Sequence, residues 1–363
     1  MTHEDQWVAL LLPSDLRNLT GQEFVKKIRE IKAREGERLA ILAHHYQKDE
    51  IASLADHRGD SLALARLSLK LRKTEFIVFC GVEFMVETAA ILCRPEQKVI
   101  SPAPNAGCPL ADMAKQEDVL TAWEELAKII NIKKMIPITY INSSSEIKAF
   151  CGEREGIVCT SSNAGKVIKW ALAKGERVLF LPDENLGRNT CNALGIPGEK
   201  TAVWDPGLPG GGCERDELKA ATVILWKGYC NIHTVFTPQQ VRMARENYPG
   251  CRIIVHPECV EEVVNAADAV GSTSSIITYV EEAPPDSIIV IGTEINLINR
   301  LAKEHPDKTI LELSVSECPD MARVNLRNLY WVLKNLGEVN VIRVDDQIKK
   351  SAKHALDRML AIK

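Results

Sequence analysis

The chain has 363 residues, of which 45% are apolar and 26% are charged, and its formal net charge is −4 at neutral pH. This length favours two or three domains, and the composition is typical of a globular protein with its own hydrophobic core. The nearly balanced charge argues against a nucleic-acid partner, and the lack of any run of roughly 18 apolar residues argues against a membrane span.

The N-terminal segment 1–12 has acidic side chains at Glu4 and Asp5 and only a short apolar run. It therefore matches neither a signal peptide nor a transit peptide, and we expect a cytoplasmic protein. In a reducing cytoplasm, the odd total of 11 cysteines is not expected to form a disulfide framework.

The first predicted strand is the apolar run LAILAHHYQ at 39–47, which ends in two histidines and a tyrosine. A turn with hydroxyl side chains and a helical pattern follow at 59–71, and a second strand begins in EFIVFCGVEFMVE at 75–87. The stretch ends in a loop that carries Cys108. This order predicts a small α/β unit with a parallel sheet.

Two further stretches repeat the same order of strand, helix, strand and loop cysteine. The second comprises 136–146, 159–175, 177–187 and Cys230, and the third comprises 252–258, 270–280, 287–298 and Cys318. The repeat indicates three related units rather than one continuous sheet.

The middle stretch is longer than the other two. Pro182 and Cys230 are 48 residues apart, whereas the corresponding separations in the first and third stretches are 27 and 26. The Gly/Pro-rich segment 195–215 accounts for the difference, and we expect it to form a surface insertion.

We therefore predict an α/β protein made of three pseudo-symmetric, three-layer αβα domains with parallel sheets. The predicted domains are 20–107, 108–229 with its insertion, and 230–330, followed by a C-terminal segment at 331–363. Ligands of such sheets bind beyond the carboxyl ends of the strands, so three units with the same orientation would surround one central site. Three independent domains, each with its own ligand, remain an alternative.

The cysteines fall into two kinds. Cys80 and Cys159 end strand-like runs, where a thiol packs as a small apolar group. Cys108, Cys230 and Cys318 recur at the same place in each repeat, and three convergent thiolates can bind zinc or three irons of a 4Fe-4S cluster. The fourth iron would be open to act as a Lewis acid. Without the repeat, three unrelated buried cysteines would be the simpler interpretation.

Polar side chains end two of the predicted strands. His44, one of two adjacent histidines, and Tyr46 end the first strand of the first repeat. His256 and Glu258 end the first strand of the third repeat. An imidazole and a carboxylate at one strand end are suited to proton transfer.

Hydroxyl and amide side chains precede or begin the predicted helices, at Ser61, Ser161, Asn163, Ser272 and Thr273. Helix capping explains part of this pattern. The free N–H groups at the same helix starts also bind carboxylate or phosphate, so three such starts would suit a substrate with several negative charges.

Ten blocks of the sequence, taken in order, resemble the signature blocks of the quinolinate synthase family. They are LAHHYQ, GDSLALA, FCGVEFMVE, YINSSSE, CTSSNA, PDENLG, VHPE, GSTSS, VIGTEI and SECPDMA. The resemblance extends from about Leu39 to Arg323, which is most of the chain.

The resemblance implies an enzyme of NAD biosynthesis that condenses iminoaspartate (iminosuccinate) with dihydroxyacetone phosphate. The products are quinolinate, phosphate and water, in a transferase-type condensation with dehydration. The resemblance also implies a central 4Fe-4S cluster on Cys108, Cys230 and Cys318, whose open iron contacts the substrate. L-aspartate oxidase, which supplies iminoaspartate, is the implied functional partner.

Motif by motif, the resemblance also implies the substrate-binding residues. They are His44, Tyr46, Ser61, Tyr140, Ile141, Asn142, Ser161, His256, Pro257, Glu258 and Thr273. Of these, we expect Glu258, Tyr46, His44 and His256 to transfer protons.

Two features depart from the family pattern. Some members have a CxxCxxC run at the third cluster ligand, whereas Met321 and Val324 stand here, so Cys318 is the only candidate ligand and a local disulfide is excluded. The insertion 195–215, which contains Cys213, is longer than in compact members and has no assigned role.

Two other functions stay open. A different cluster-dependent hydro-lyase for a di- or tricarboxylic acid would need the same open iron and anion sites, without phosphate as a leaving group. A non-enzymatic scaffold or metabolite sensor would use its cysteines for a structural metal such as zinc, and it would be colourless.

Overall fold

The computed structural model describes residues 19–362, and the expectation for segment 1–12 lies outside these residues. The described chain contains three β-sheets in which neighbouring strands run parallel, flanked by helices. The prediction of an α/β protein with parallel sheets is confirmed. Among the described helices, none is both long and apolar enough to cross a membrane.

The first sheet has the strand order β2-β1-β3-β4. Its strands are β1 (Leu39–His44), β2 (His57–Gly59), β3 (Phe76–Cys80) and β4 (Lys98–Ile100), and the accompanying helices are α1 (Gly21–Glu35), α2 (Asp49–Ala52), α3 (Ser61–Ser68) and α4 (Glu83–Leu92). Every residue of β1 is buried, as expected for a parallel strand covered on both faces. Asp60 caps α3 by accepting the backbone N–H of Ala63.

The second sheet has five strands, in the order β6-β5-β7-β9-β8. They are β5 (Met135–Tyr140), β6 (Ile157–Cys159), β7 (Arg177–Leu181), β8 (Thr201–Trp204) and β9 (Val223–Trp226). The helices of this part are α5 (Pro109–Asp112), α6 (Gln116–Ala127), α7 (Ser145–Glu153), α8 (Ala164–Leu172), α9 (Glu184–Ala193) and α10 (Arg215–Ala220). Four of the strands correspond to those of the first sheet, and β8 is additional.

The segment 195–215 differs from the plain surface insertion expected from its glycines and prolines. Its residues Thr201–Trp204 form β8, which pairs in parallel with β9 at the edge of the sheet. The buried indole of Trp204 packs against Gly211, where any Cβ would lie only 2.3 Å from the ring. Gly211 also has a φ of 68°, which side chains rarely adopt. Trp204 and Gly211 thus pack together within the insertion.

The third sheet has the order β11-β10-β12-β13. Its strands are β10 (Arg252–Val255), β11 (Ala269–Val270), β12 (Ile288–Gly292) and β13 (Thr309–Glu312), and its helices are α11 (Pro238–Asn247), α12 (Glu261–Ala266), α13 (Thr273–Glu282) and α14 (Ile295–Glu304). Alternate residues of β10 enter different apolar clusters, with Ile253 and Val255 in one and Ile254 in the other. The sheet is therefore covered on both faces, as an αβα layer requires.

The C-terminal part of the chain packs on the first two sheets through the helices α15 (Leu326–Lys334) and α16 (Asp346–Ala361). A guanidinium N–H of Arg358 in α16 donates to the carbonyl of Gly156 at 2.6 Å. The backbone N–H of Ile342 donates to the carbonyl of Val99, next to the edge strand β4. The predicted domain boundaries stay a prediction.

Candidate active site

A hydrogen bond that occurs once in each repeat places the three loop cysteines at equivalent positions. In each case, the first residue of the helix after the central strand donates its backbone N–H to the carbonyl two residues before the cysteine. The pairs are Glu83 with Ala106, Glu184 with Gly228, and Ile295 with Ser316, each at 2.8 Å. The same short contact therefore supports the loop that leads to each cysteine.

Cys108, Cys230 and Cys318 line a single cavity, and of the 11 cysteines only these three do so. Burial raises the pKa of Cys108 to about 12 and that of Cys318 to about 11, and it raises the pKa of Cys230 well above its ordinary value. These thiols would become thiolates only beside a strong positive charge, which a metal centre supplies. The donor set thus fits a thiolate-bound cluster.

A second potential ligand group lies beside Cys230. The ligand atoms of Cys230, His233 and Glu258 are all within 4.8 Å of one another, which is close enough to hold a single metal ion. Sulfur, nitrogen and oxygen ligands of this kind suit zinc. This group uses only one of the three equivalent cysteines.

Most of the side chains predicted to bind substrate line the same cavity. They are His44, Tyr46, Ser61, Tyr140, Asn142, Ser161, His256, Glu258 and Thr273. Ile141 is instead part of the apolar core. Pro257 is not among the residues that line the cavity. Its carbonyl accepts an N–H of Asn189 at 2.9 Å, which links the loop after β10 to α9.

The hydroxyl group of Tyr46 is held between two threonines. It lies 2.9 Å from Oγ1 of Thr293 and accepts the hydroxyl hydrogen of Thr273 at 3.2 Å. Burial raises the pKa of Tyr46, so the phenol stays neutral. A neutral, oriented phenol can donate a proton or a hydrogen bond to a bound molecule.

His44 and His256 adopt the same local geometry in the first and third repeats. In each, Nδ1 accepts the backbone N–H of the residue two positions later, Tyr46 at 3.2 Å and Glu258 at 3.4 Å. Burial, followed by the charge of His45, lowers the pKa of His44 to about 3. His44 is therefore neutral, and with Nδ1 accepting, its proton is on Nε2.

His233 is a cavity residue that the sequence reasoning did not single out. Its Nδ1 lies 2.6 Å from Oε2 of Glu258, its Nε2 lies 3.1 Å from Oγ1 of Thr293, and its ring stacks on His256 at 4.2 Å. Burial lowers the pKa of His233 to about 4. The signal was available, because this histidine follows Cys230 by three residues in YCNIH.

Glu258 is 2% exposed and contacts both of these imidazoles through Oε2. Burial by itself raises the pKa of Glu258, but the neighbouring His256 and His233 outweigh that effect and hold the pKa below its ordinary value. The second oxygen, Oε1, is buried and has no clear hydrogen bond among the described residues, although Tyr140 is close enough that, after burial, the Glu258 carboxylate raises the pKa of its phenol. Glu258 is thus an ionised carboxylate with one oxygen free to accept a proton.

The predicted helix starts differ in detail from the expectation. Ser272 caps α13, but Asp60 rather than Ser61 caps α3. Asn163 precedes α8 and accepts the backbone N–H of Thr160 at 2.7 Å instead of capping the helix. Ser61, Ser161 and Thr273 nevertheless all line the cavity.

Comparison with known proteins gives consistent matches. The family described as "Quinolinate synthetase A protein" matches residues 26–361. A quinolinate synthase of Bacillus anthracis (strain CDC 684 / NRRL 3495) is 47% identical over 361 residues, which covers 98% of this chain and 97% of that protein. The quinolinate synthase of Bacillus cereus (strain AH187) has the same identity and the same coverage.

Proposed function

The chain belongs to the quinolinate synthetase A protein family, and from this premise we propose that it acts as a quinolinate synthase in NAD biosynthesis. The reaction condenses iminoaspartate with dihydroxyacetone phosphate and releases phosphate and two waters to form quinolinate. We place the reaction in the cavity that the three repeats share. A cytoplasmic location agrees with the 11 cysteines, all of which are unpaired.

The observation that carries this proposal is the convergence of the three equivalent thiols on one cavity. Cys108, Cys230 and Cys318 would hold a 4Fe-4S cluster by three of its irons. When bound, such a cluster supplies a Lewis acid that assists the loss of a hydroxyl group as water. The same three cysteines were predicted from the repeat.

The protein groups around the cavity would bind the substrates and move protons. The starts of α3, α8 and α13 supply backbone N–H groups and hydroxyls for carboxylate and phosphate oxygens. Glu258, ionised and with Oε1 free, would accept the proton that leaves carbon or nitrogen during condensation. Tyr46, a neutral phenol, would donate a proton to a departing oxygen.

The histidines have a supporting role in this scheme. His233 and His256 lie 2.6 and 3.3 Å from Oε2 of Glu258, and a proton on either imidazole would favour the charged form of this buried carboxylate. His44 would donate a hydrogen bond from Nε2 to a substrate oxygen. L-aspartate oxidase would supply the iminoaspartate, so we propose it as the functional partner.

The test is anaerobic reconstitution followed by metal, sulfide and product analysis. We expect about four irons and four sulfides per chain and a brown protein. Quinolinate should form when iminoaspartate and dihydroxyacetone phosphate are both present, and it should not form when dihydroxyacetone phosphate is omitted. Full cluster content without any quinolinate would contradict the proposed reaction.

The grouping of Cys230, His233 and Glu258 favours one alternative, a protein with a single zinc ion at this point. Such a protein would be colourless and would contain about one zinc per chain. It would keep its metal when Cys108 or Cys318 is replaced by alanine. The metal analysis above, applied to these two variants, separates the two assignments.

A further inference from the structure

The carboxylate of Asp60 connects all three repeats. Its Oδ1 accepts the backbone N–H of Ala63 at 2.8 Å within the first repeat. Its Oδ2 accepts the hydroxyl hydrogens of Ser162 in the second repeat at 3.0 Å and of Ser274 in the third at 2.5 Å. Asp60 is 8% exposed, whereas Ser274 is half-buried and Ser162 is exposed, so these bonds are partly shielded from water. We name this group of Asp60, Ser162 and Ser274 the serine clamp.

Each member of the serine clamp is the immediate chain neighbour of a hydroxyl residue that lines the cavity. The neighbouring pairs are Asp60 with Ser61, Ser162 with Ser161, and Ser274 with Thr273. One backbone step separates each clamp residue from a side chain expected to bind substrate, and Asp60 and Ser162 also line the cavity themselves. A shift of the clamp would move all three of these side chains relative to one another.

Asp60 is ionised in this position. Burial raises the pKa of Asp60, but hydrogen bonds from Ser274, Ala63 and Ser162 outweigh it and lower the pKa below the ordinary value. Hydrogen bonds to a charged acceptor are shorter and about twice as strong as neutral ones. The hydroxyl hydrogens of Ser162 and Ser274 are committed to this carboxylate and are not free to bind substrate.

We infer that Asp60 is a positioning residue that sets the relative placement of Ser61, Ser161 and Thr273 through the serine clamp. The inference rests on the proposed function, because it assigns these three residues to substrate binding. Binding groups on separate units must be held within a fraction of an ångström for one ligand to reach all of them. The serine clamp joins the starts of α3, α8 and α13 directly by hydrogen bonds.

Ser274→Ala is the sharpest test, because Ser274 does not line the cavity and its loss removes no direct substrate contact. The cap on α3 remains, since Asp60 keeps its bond to Ala63. Ser275→Ala is the matched control, because Ser275 follows in the same helix and, within residues 19–362, its hydroxyl is hydrogen-bonded only to Ser272 of the same repeat. Ser274→Thr keeps a hydroxyl group and should rescue the effect.

In the cluster-loaded protein, Ser274→Ala should raise the dissociation constant for quinolinate and the KM for dihydroxyacetone phosphate by about tenfold, because misplaced binding groups contact a ligand less well. The kcat should stay within about twofold of the parent, because no reacting group is changed. Iron content should equal that of Ser275→Ala. Amide hydrogen exchange should accelerate at residues 160–164, which belong to a different repeat from the substitution.

Equal dissociation constants and equal exchange in Ser274→Ala and Ser275→Ala would overturn the inference and leave Asp60 as a helix cap only. If Ser274→Ala loses its iron, Asp60→Asn replaces it, since the amide keeps the shape but presents a donor to one side of the clamp. Because Asp60 itself lines the cavity, amide exchange rather than binding decides the outcome for this variant, and it should accelerate at residues 160–164. If the parent neither binds nor forms quinolinate, the proposed function fails, and the exchange at 160–164 still decides the clamp.

Discussion

Glu258 shows how strongly the role of one side chain depends on its immediate neighbours. A carboxylate that is 2% exposed would normally be protonated, because burial penalises the charge. The imidazoles of His233 and His256 reverse that preference. The two histidines come from different loops, so the charge on Glu258 is a consequence of the fold.

Glu258→Gln should remove this charge while it preserves the shape of the side chain. We expect the variant to fold, to keep its cluster and to bind quinolinate, but to lose about 10²- to 10⁴-fold in kcat, the range of a positioned acid–base group. Iron analysis and steady-state kinetics measure these effects, with Glu262→Gln, an exposed residue in the same segment, as the control. A kcat within about threefold of the parent would indicate that Tyr46, rather than Glu258, transfers the proton.

Cys230→Ala should abolish the cluster, because a 4Fe-4S centre on three protein thiolates has no spare ligand among the cysteines of this cavity. Iron content and visible absorbance after anaerobic reconstitution measure the loss. Cys251→Ala is the control, since Cys251 packs in the apolar cluster beside β10 and does not line the cavity. Full iron content in Cys230→Ala would refute the ligand assignment.

Among the secondary-structure elements, α16 illustrates how closely the C-terminal part is fitted to the second sheet. A Cβ added at Gly152 of α7 would lie 1.8 Å from the backbone oxygen of Ser351 in α16. The two helices can approach this closely only because residue 152 is glycine. The contact ties the last helix to the unit that carries Tyr140 and Asn142.

Gly152→Ala should therefore destabilise the protein, although alanine is the better helix former by up to about 1 kcal/mol. Overpacking of this kind costs about 1–3 kcal/mol, so the melting temperature should fall. Gly165→Ala in α8 is the matched control, because its Cβ would find no atom nearer than 3.8 Å, and its stability should be equal or higher. Thermal unfolding of both variants shows whether overpacking or helix propensity has the larger effect. An unchanged melting temperature in Gly152→Ala would contradict the close packing.

For the molecule as a whole, the arrangement of three sheets around one cavity determines how the cofactor would meet the solvent. Each sheet brings one cysteine, and no fourth cysteine lines the cavity among the described residues. One iron of a bound 4Fe-4S cluster would then lack a thiolate ligand. The same opening that admits substrate would admit oxidants.

Air exposure should accordingly bleach the visible absorbance of the reconstituted protein and abolish quinolinate formation in parallel. A sample kept under anaerobic conditions for the same time should lose neither. Absorbance and product formation, sampled from the same tube over time, provide the measurement. Undiminished turnover after complete bleaching would mean that the cluster takes no part in the reaction.

The sequence by itself determined the features that depend on local order along the chain. Apolar β-branched runs and helix-period patterns are local, so the strands that end at His44, Tyr140 and Val255 and the threefold repeat were predictable from them. Equivalent positions in the repeat also predicted that Cys108, Cys230 and Cys318 converge, and all three line one cavity.

Tertiary structure alone decided the contacts between residues that are distant in the chain. The pairing of Thr201 in β8 with Val223 in β9, and the contact of His233 with Glu258, each join separate segments of the chain. The bond between Asp60 and Ser274 joins positions 214 residues apart. Such contacts follow from the register and packing of whole sheets, because the direction of a side chain at a strand end is set by its neighbours in space rather than in sequence.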